Sequence, residues 1–266
     1  MKSVHDLIDL TGRVALVTGG AGHIGYAACE ALGELGATVC VLDLNLEVVE
    51  DAVCRLKSKG YDAVSLPFDL EGTENFHDVV ESVSMQNERL DILVNNAAFV
   101  GTSDLSGWAE PFEKQGPEAW DRAMDVNLKA PFFLTQALSP LLKASGNGSV
   151  INVASIYGVT GPDWSLYEGT DMSNPAAYGV SKGGMVQLTR WLATTLAPHV
   201  RVNAISPGGV ERGQPETFQN RYVARTPLAR MASEEDFKGV IALLASDLSA
   251  YITGQNIMVD GGWGVW

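Results

Sequence analysis

The chain has 266 residues, 46% of them hydrophobic and 19% charged, enough to bury a large core as one α/β domain or two small ones. A formal net charge of −14 leaves no basic stripe for phosphates, which argues against nucleic acid and requires any anionic ligand to be held by local backbone N–H groups. No apolar run approaches the ~20 residues of a membrane span, and Met1-Lys2-Ser3-Val4-His5-Asp6 lacks a signal-peptide layout, so a soluble, cytoplasmic protein is expected.

Arg13 to Thr18 reads as a short buried strand, followed by Gly19-Gly20-Ala21-Gly22-His23-Ile24-Gly25 and a helical pattern through Ala27, Ala28, Ala31, Leu32 and Leu35 that stops at Gly36. Strand, glycine-rich turn and helix N-terminus in that order form an anion site, because glycines let the backbone close tightly and unpaired N–H groups face the ligand. Gly20, Gly22 and Gly25 also satisfy G-x-G-x-x-G. A second strand from Thr38 to Leu42 ends in Asp43, placed to accept hydrogen bonds from adenosine ribose hydroxyls and to repel a 2′-phosphate. Neither Arg nor Lys occurs between Gly25 and Arg55, so NAD is expected over NADP. Cys29, Cys40 and Cys54 lie in apolar stretches with no C-x-x-C spacing and read as buried, reduced thiols. His5, His23, His77 and His199 show no metal-ligand spacing, and no metal is expected.

The alternation continues with a helix over Leu46–Lys59, a strand over Asp62–Phe68 ending at Asp69, a helix over Thr73–Asn87 and an apolar strand over Leu90–Val94 ending in Asn95-Asn96-Ala97-Ala98. Residues 99–117 read as an irregular, partly aromatic loop with Trp108. Pro117–Lys143 is a long helical stretch containing Asn127, and Ser149–Val153 is a strand ending in Ala154-Ser155. A helix begins after Pro175 and runs to about Ala197. Val200–Ile205 is a strand broken by Pro207-Gly208-Gly209, and Asn256–Val259 is the last strand before an aromatic tail. Strands alternating with helices predict a doubly wound parallel sheet of about seven strands in one domain spanning residues 1–266. Right-handed crossovers gather Asp43, Asp69, Asn95, Ser155 and Pro207 along one edge, where such folds bind ligands.

Tyr178 and Lys182 are four apart on the predicted helix after Pro175, so they share a face. A tyrosine ordinarily ionises near pH ~10, and one cation about 4 Å away supplies ~4 kcal/mol at an effective dielectric of ~20, enough to bring the phenol into the range of general acid/base work. A surface Tyr/Lys pair on a solvated helix is the plain alternative.

Thr18-Gly19 through Gly25, Asp69, Asn95-Asn96-Ala97, Asn127, Ser155, Tyr178-x-x-x-Lys182 and Pro207-Gly208, in this order over nearly the whole chain, resemble the short-chain dehydrogenase/reductase family. The resemblance implies a Rossmann fold, a homotetramer or homodimer, and hydride transfer between a nicotinamide and an alcohol or ketone. It implies that Asn127, Ser155, Tyr178 and Lys182 form the catalytic set. Tyr178 would exchange the proton, Ser155 would hydrogen-bond the substrate oxygen, and Lys182 would lower the Tyr178 pKa and bind the nicotinamide ribose. Asn127 would hold a water that relays protons by way of Lys182. Gly19, Gly22, His23, Ile24 and Gly25 would hold the diphosphate, Asp69 and Leu70 would meet the adenine, and Asn95 and Ala97 would line the cofactor channel, with Pro207, Gly208 and the backbone of Val210 beside the carboxamide.

Three features depart from the family pattern. His23 stands where the usual loop has glycine, and either approaches the diphosphate or faces solvent. Ser155 and Tyr178 are 23 residues apart, a longer spacing than the family commonly shows, and the extra piece, Gly161 to Asn174 with Trp164, Tyr167 and Glu168, is expected over the nicotinamide. Arg212 occupies the place of a common threonine. It either binds a phosphate or carboxylate of the substrate or pairs with Glu211 or Glu216. The segments around Ser155, Tyr167-Glu168 and Gly213-Gln214-Pro215-Glu216 look like a subgroup found with bacterial sugar biosynthesis, including flagellin-modification and nonulosonate pathways, which would make the small-molecule substrate a sugar derivative. A 3-oxoacyl thioester reductase is the neighbouring enzyme reading, against which Asp43 stands. A non-catalytic nicotinamide-binding regulatory protein is the other alternative, for which the phenol would be superfluous.

Overall fold

The computed structural model describes residues 1–71, 76–87, 89–100 and 105–266. The helix expected from Thr73 is therefore followed only from Phe76, and positions 101–104 of the expected 99–117 loop lie outside the described residues.

A short helix that the apolar pattern does not announce, α1 (Val4–Ile8), opens the fold. Ser3 Oγ accepts from the Asp6 N–H at 3.1 Å while the Asp6 carboxylate accepts from the Ser3 N–H at 2.8 Å, a reciprocal cap that the Ser-x-x-Asp spacing encodes. Then follow β1 (Val14–Thr18), α2 (His23–Glu34), β2 (Thr38–Asp43), α3 (Leu46–Ser58), β3 (Ala63–Pro67), α4 (Phe76–Asn87) and β4 (Ile92–Asn95). The second half comprises α5 (Pro117–Met124), α6 (Ala130–Ala144), β5 (Gly148–Val153), α7 (Ala176–Leu196), β6 (Val200–Pro207), α8 (Glu216–Arg225), α9 (Lys238–Ala245) and β7 (Asn256–Val259).

The strands form one parallel sheet in the order β3-β2-β1-β4-β5-β6-β7. Both faces are covered, which explains why the strands read as apolar runs rather than alternating patterns. Ala15 and Val17 of β1 pack with Leu32, Val49 and Ile241 from α2, α3 and α9. Val14 and Leu16 pack on the other side with Val83, Leu138 and Leu192 from α4, α6 and α7. The strand order reverses between β1 and β4, so the loops leaving their C-terminal ends diverge to opposite faces and open a crevice.

The stretch expected to run as one helix from Pro117 to Lys143 is two, α5 and α6, joined by a π turn over Asp125–Lys129 in which the Ala130 N–H reaches Asp125 O. Pro131 is the local cause. It has no N–H, so the carbonyl of Asn127 cannot receive the usual donation from four residues on. β6 continues past its expected end at Ile205 through Pro207, and the chain turns at Gly208. Cys29 and Cys40 are buried free thiols as expected, whereas Cys54 is exposed, because α3 buries Val49, Val53 and Leu56 and turns Cys54 away from that face. No described helix is long and apolar enough to cross a membrane.

Candidate active site

The crevice is a cleft of about 800 Å³ along the C-terminal strand edge. At its β1 end Gly19 has φ +61°, and a Cβ there would stand 2.9 Å from the Ala97 Cα. At Gly25 a Cβ would lie 2.0 Å from Gly19 O, so this glycine lets the first turn of α2 fold back onto the loop rather than face the cleft. Gly22 caps α2 without a side-chain acceptor, and no acidic residue stands in the first turn, so the N–H groups opening that helix are left for a ligand. Gly19, Gly22, His23 and Ile24 line the cleft here. Asp43, at the end of β2, accepts from Leu44 N at 2.8 Å and from Ala21 N at 3.2 Å, which fixes its carboxylate beside the glycine turn. Asp69, Leu70 and Ala97 complete this wall, with Asp69 Oδ1 accepting from Glu71 N at 2.9 Å. An open, acceptor-free helix start beside a carboxylate fits the diphosphate and ribose of a dinucleotide.

Asn95 does not line this channel. It is buried and donates to Thr135 Oγ1 at 3.2 Å and Asn152 Oδ1 at 2.9 Å, tying β4 to β5 and α6. The next residue, Asn96, lies at the cleft and donates to Thr18 O and Gly19 O, at 3.0 and 3.1 Å, bracing the glycine turn.

At the β5 end, Ser155, Tyr178 and Lys182 meet. Ser155 is buried and its hydroxyl accepts from Tyr157 N at 3.2 Å, capping a one-turn helix over Ile156–Gly158. A Cβ at Gly158 would stand 2.7 Å from Lys182 O; its absence lets that turn press onto α7 and sets Ser155 against Tyr178. In the sequence Gly158 counts only as part of the Ala154-Ser155-Ile156-Tyr157-Gly158 resemblance; its packing role shows in the fold. The Tyr178 phenol is pushed up from its ordinary pKa by burial, with the Ser155 hydroxyl opposing and Arg212 acting in the same lowering sense. Lys182, only 2% exposed, donates from Nζ to Val153 O at 2.7 Å, and its nitrogen is 5.9 Å from the Tyr178 ring centre. Burial pushes its pKa down from 10.5 to about 8. The expected lowering of the Tyr178 pKa by Lys182 is thus not what the ligand-free chain displays: the two share a helix face, but the ammonium is turned to the strand carbonyl, and desolvation dominates both groups.

Asn127 is buried in the π turn. Its Oδ1 accepts from Phe99 N at 2.6 Å, and its Nδ2 donates to Phe99 O at 3.2 Å and Ser181 Oγ at 3.1 Å. Both amide protons are spent, so Asn127 has only acceptors left to offer: the second lone pair of Oδ1 and the backbone carbonyl, whose usual donor four residues on is Pro131.

Pro207, Gly208 and Val210 line the opposite wall, with Gly208 N donating to Val259 O at 2.9 Å. Of the insert, Tyr167, Met172, Ser173 and Asn174 line the cleft, but Trp164 and Glu168 do not. Trp164 is exposed and leans on Tyr167 with ring centres 5.8 Å apart; Glu168 is exposed, and its carbonyl receives Arg221 Nη1 at 2.6 Å, pinning the insert to α8. Arg212 pairs with neither Glu211 nor Glu216. Its Nε meets Glu234 Oε1 at 3.2 Å, and the same oxygen lies 3.2 Å from His23 Nδ1, so Glu234 spans the glycine turn and the loop after β6. Tyr157, Phe218, Tyr222 and Met231 also form this wall; nothing local in the sequence brings Phe218 and Tyr222 of α8, or Met231 after it, over Ser155.

A reversing parallel sheet with an open helix start, a carboxylate ending the neighbouring strand and a Ser/Tyr/Lys cluster is the architecture of a nicotinamide-dependent oxidoreductase. A family profile described as enoyl-(acyl carrier protein) reductase matches residues 19–264. The chain is 35% identical over 262 residues to the 3-oxoacyl-[acyl-carrier-protein] reductase FabG of Thermotoga maritima, covering 95% of this chain and 98% of that protein. It is 31% identical over 260 residues to the cyclopentanol dehydrogenase of Comamonas testosteroni, covering 94% and 96%. Among solved structures, a gluconate 5-dehydrogenase from Burkholderia cenocepacia J2315 in complex with NADP and tartrate superposes with a TM-score of 0.87 at 26% identity, covering 99% of this chain and 100% of that one. The protein belongs to the short-chain dehydrogenase/reductase family.

Proposed function

We propose that the protein is an NAD-dependent oxidoreductase that interconverts a secondary alcohol and a ketone on a polar small molecule, of the sugar class. The observation that carries the reading is the convergence of Ser155, Tyr178 and Lys182 on one cleft, with the Lys182 nitrogen 5.9 Å from the Tyr178 ring centre. When bound, the nicotinamide supplies or accepts the hydride. Gly19, Gly22, His23 and Ile24 hold the diphosphate through backbone N–H groups, and Asp43 takes the adenosine ribose. Ser155 donates a hydrogen bond to the substrate oxygen and stabilises the negative charge that develops there. Tyr178, whose pKa burial pushes further above its ordinary value, gives its proton to that oxygen in reduction and takes it back in oxidation. Lys182 carries the neighbouring charge, and the Asn127 carbonyl holds the water that restores the proton.

The carboxylate of Asp43 and the lack of Arg or Lys between Gly25 and Arg55 support NAD, while the NADP of the gluconate 5-dehydrogenase complex belongs to that relative. The FabG relative favours a second reading, reduction of a 3-oxoacyl thioester, for which the apolar walls Ile156, Phe218 and Met231 are suited. Self-association belongs to the same reading: Phe133 and Trp191 are exposed on α6 and α7, as is the tail at Val265 and Trp266, and light scattering of the purified protein checks for a homotetramer or homodimer. Tyr178→Phe tests the chemistry. NADH binding, followed by fluorescence, should stay within about twofold while turnover falls by ~10²-fold or more, the scale of one general acid/base; turnover at the wild-type rate would remove Tyr178 from the mechanism.

A further inference from the structure

Among the described residues three Lys and Arg side chains line the cleft, and two of them are committed. Lys182 is held on Val153 O, and Arg122 is bound through Nε at 3.1 Å and Nη2 at 2.6 Å by Glu71. Arg212 meets Glu234 through Nε alone, so among the described residues neither of its Nη nitrogens has a protein acceptor. It lines the cleft together with Ser155 and Tyr178, close enough to Tyr178 for its charge to bear on the phenol.

A second uncommitted group stands in the same wall. The Tyr157 and Tyr167 hydroxyls are 2.7 Å apart, and Asn174 Nδ2 donates to the Tyr167 oxygen at 3.3 Å. Each phenol has one proton. Whichever of the two donates to the other, one O–H of the pair stays unspent and available to a ligand oxygen.

Charge decides what kind of anion Arg212 takes. Glu234 is ionised: burial raises its pKa, but its own backbone N–H and the Arg212 guanidinium outweigh this and hold it below the usual carboxylate range. Arg212 and Glu234 together therefore carry no net charge. A monoanion completes the guanidinium's remaining face, whereas a dianionic phosphate would set two further negative charges beside Glu234 in a chain already at −14. A planar carboxylate also matches the parallel N–H bonds a guanidinium offers.

We propose that the substrate is a hydroxylated carboxylic acid, its carboxylate held by the Nη nitrogens of Arg212 and one of its hydroxyls by the Tyr157–Tyr167 pair. This deepens the oxidoreductase reading above and rests on it for the reacting carbon.

The test is equilibrium binding by calorimetry, on the protein alone and saturated with NADH, of D-gluconate against D-glucitol and of tartrate against threitol. Each acid should bind at least tenfold tighter than its neutral counterpart. Arg212→Gln should abolish that contrast with NADH affinity within about twofold, and Arg212→Lys should restore it only in part, since an ammonium cannot present two parallel N–H bonds. Glu234→Gln should tighten acid binding several-fold by removing the competing carboxylate. Equal binding of acids and polyols, or undiminished acid binding by Arg212→Gln, overturns the proposal. So does D-glucitol 6-phosphate outbinding D-gluconate through Arg212, which would make the recognised group a phosphate. Failure to bind NADH would strike the oxidoreductase reading, and the comparison on the protein alone would still decide this one.

Discussion

Replacing Lys182 with methionine should make the ligand-free protein more stable at neutral pH. Lys182 is 2% exposed, its charge is met by one backbone carbonyl, and burial drops its pKa from 10.5 to about 8. At about 1.36 kcal/mol per pH unit, that is roughly 3 kcal/mol of penalty on the charged form. The folded pKa lies below the unfolded one, so the penalty is present in full below pH 8 and is relieved as pH rises towards 10.5, where the lysine is neutral in both states. Methionine removes the charge and keeps most of the stem, but it leaves Val153 O without its side-chain donor, a loss of ~1–2 kcal/mol. A net gain of about 1–2 kcal/mol at pH 7 is expected, shrinking through zero to a loss by pH 10. Urea denaturation of both proteins from pH 6 to 10.5 reads this directly, and comparing the pair cancels the titration of every other group. A stability difference that stays flat over this range would refute the reasoning, because the ammonium would then not be paying a desolvation cost in the fold.

Three further substitutions test other parts of the site. Asp43→Asn should shift the NADH-to-NADPH affinity ratio at least tenfold towards NADPH in a fluorescence titration, since the repelling carboxylate beside the glycine turn is gone; an unchanged ratio would relocate cofactor choice. Gly25→Ala puts a Cβ 2.0 Å from Gly19 O, so the denaturation midpoint should fall by the equivalent of ~1–3 kcal/mol and NADH binding should weaken with it. Asn127→Ala leaves both backbone polar groups of Phe99 without their partner and should cost ~2–4 kcal/mol by the same measurement, where an effect below ~0.5 kcal/mol would show that water replaces the amide freely.

Asp43, Asp69 and Ser155 were legible as cleft residues because a carboxylate or hydroxyl ending an apolar run in a βα alternation marks a strand's C-terminal end, and right-handed crossovers leave one edge for all such ends. The choice between Asn95 and Asn96 was not legible. Neighbouring residues at a strand end point to opposite faces, and in β4 both faces are apolar, with Ile92 and Val94 on one side and Leu93 on the other, so alternation carries no inside-outside label. In the insert Tyr167 lines the cleft as expected, whereas Trp164 and Glu168, which look like ligand residues by type, do not, because Arg221 and Arg225 of α8 dock the insert with those two side chains outward. Arg212 stands out in the sequence as a cation where a threonine is common, but its pairing was sought in the neighbouring Glu211 and Glu216; its partner Glu234 lies in another segment and could be found only once the chain was folded.

The Tyr178–Lys182 pair shows where spacing stops and environment begins. Four-residue spacing put phenol and ammonium on one face, and a bare Coulomb term at about 4 Å would then have made the phenol acidic. In the fold the nitrogen is 5.9 Å from the ring centre and bonded elsewhere, and burial favours the neutral form of each group, raising one pKa and lowering the other. The ordinary order of the two groups is thereby kept from converging on a phenolate–ammonium pair: the proton stays on Tyr178. The proposed reduction, in which Tyr178 gives its proton to a carbonyl, starts from this state. Under the same proposal the oxidation of an alcohol asks more of Lys182, because among the described residues its buried ammonium has one partner, the carbonyl of Val153, and burial alone already favours its neutral form.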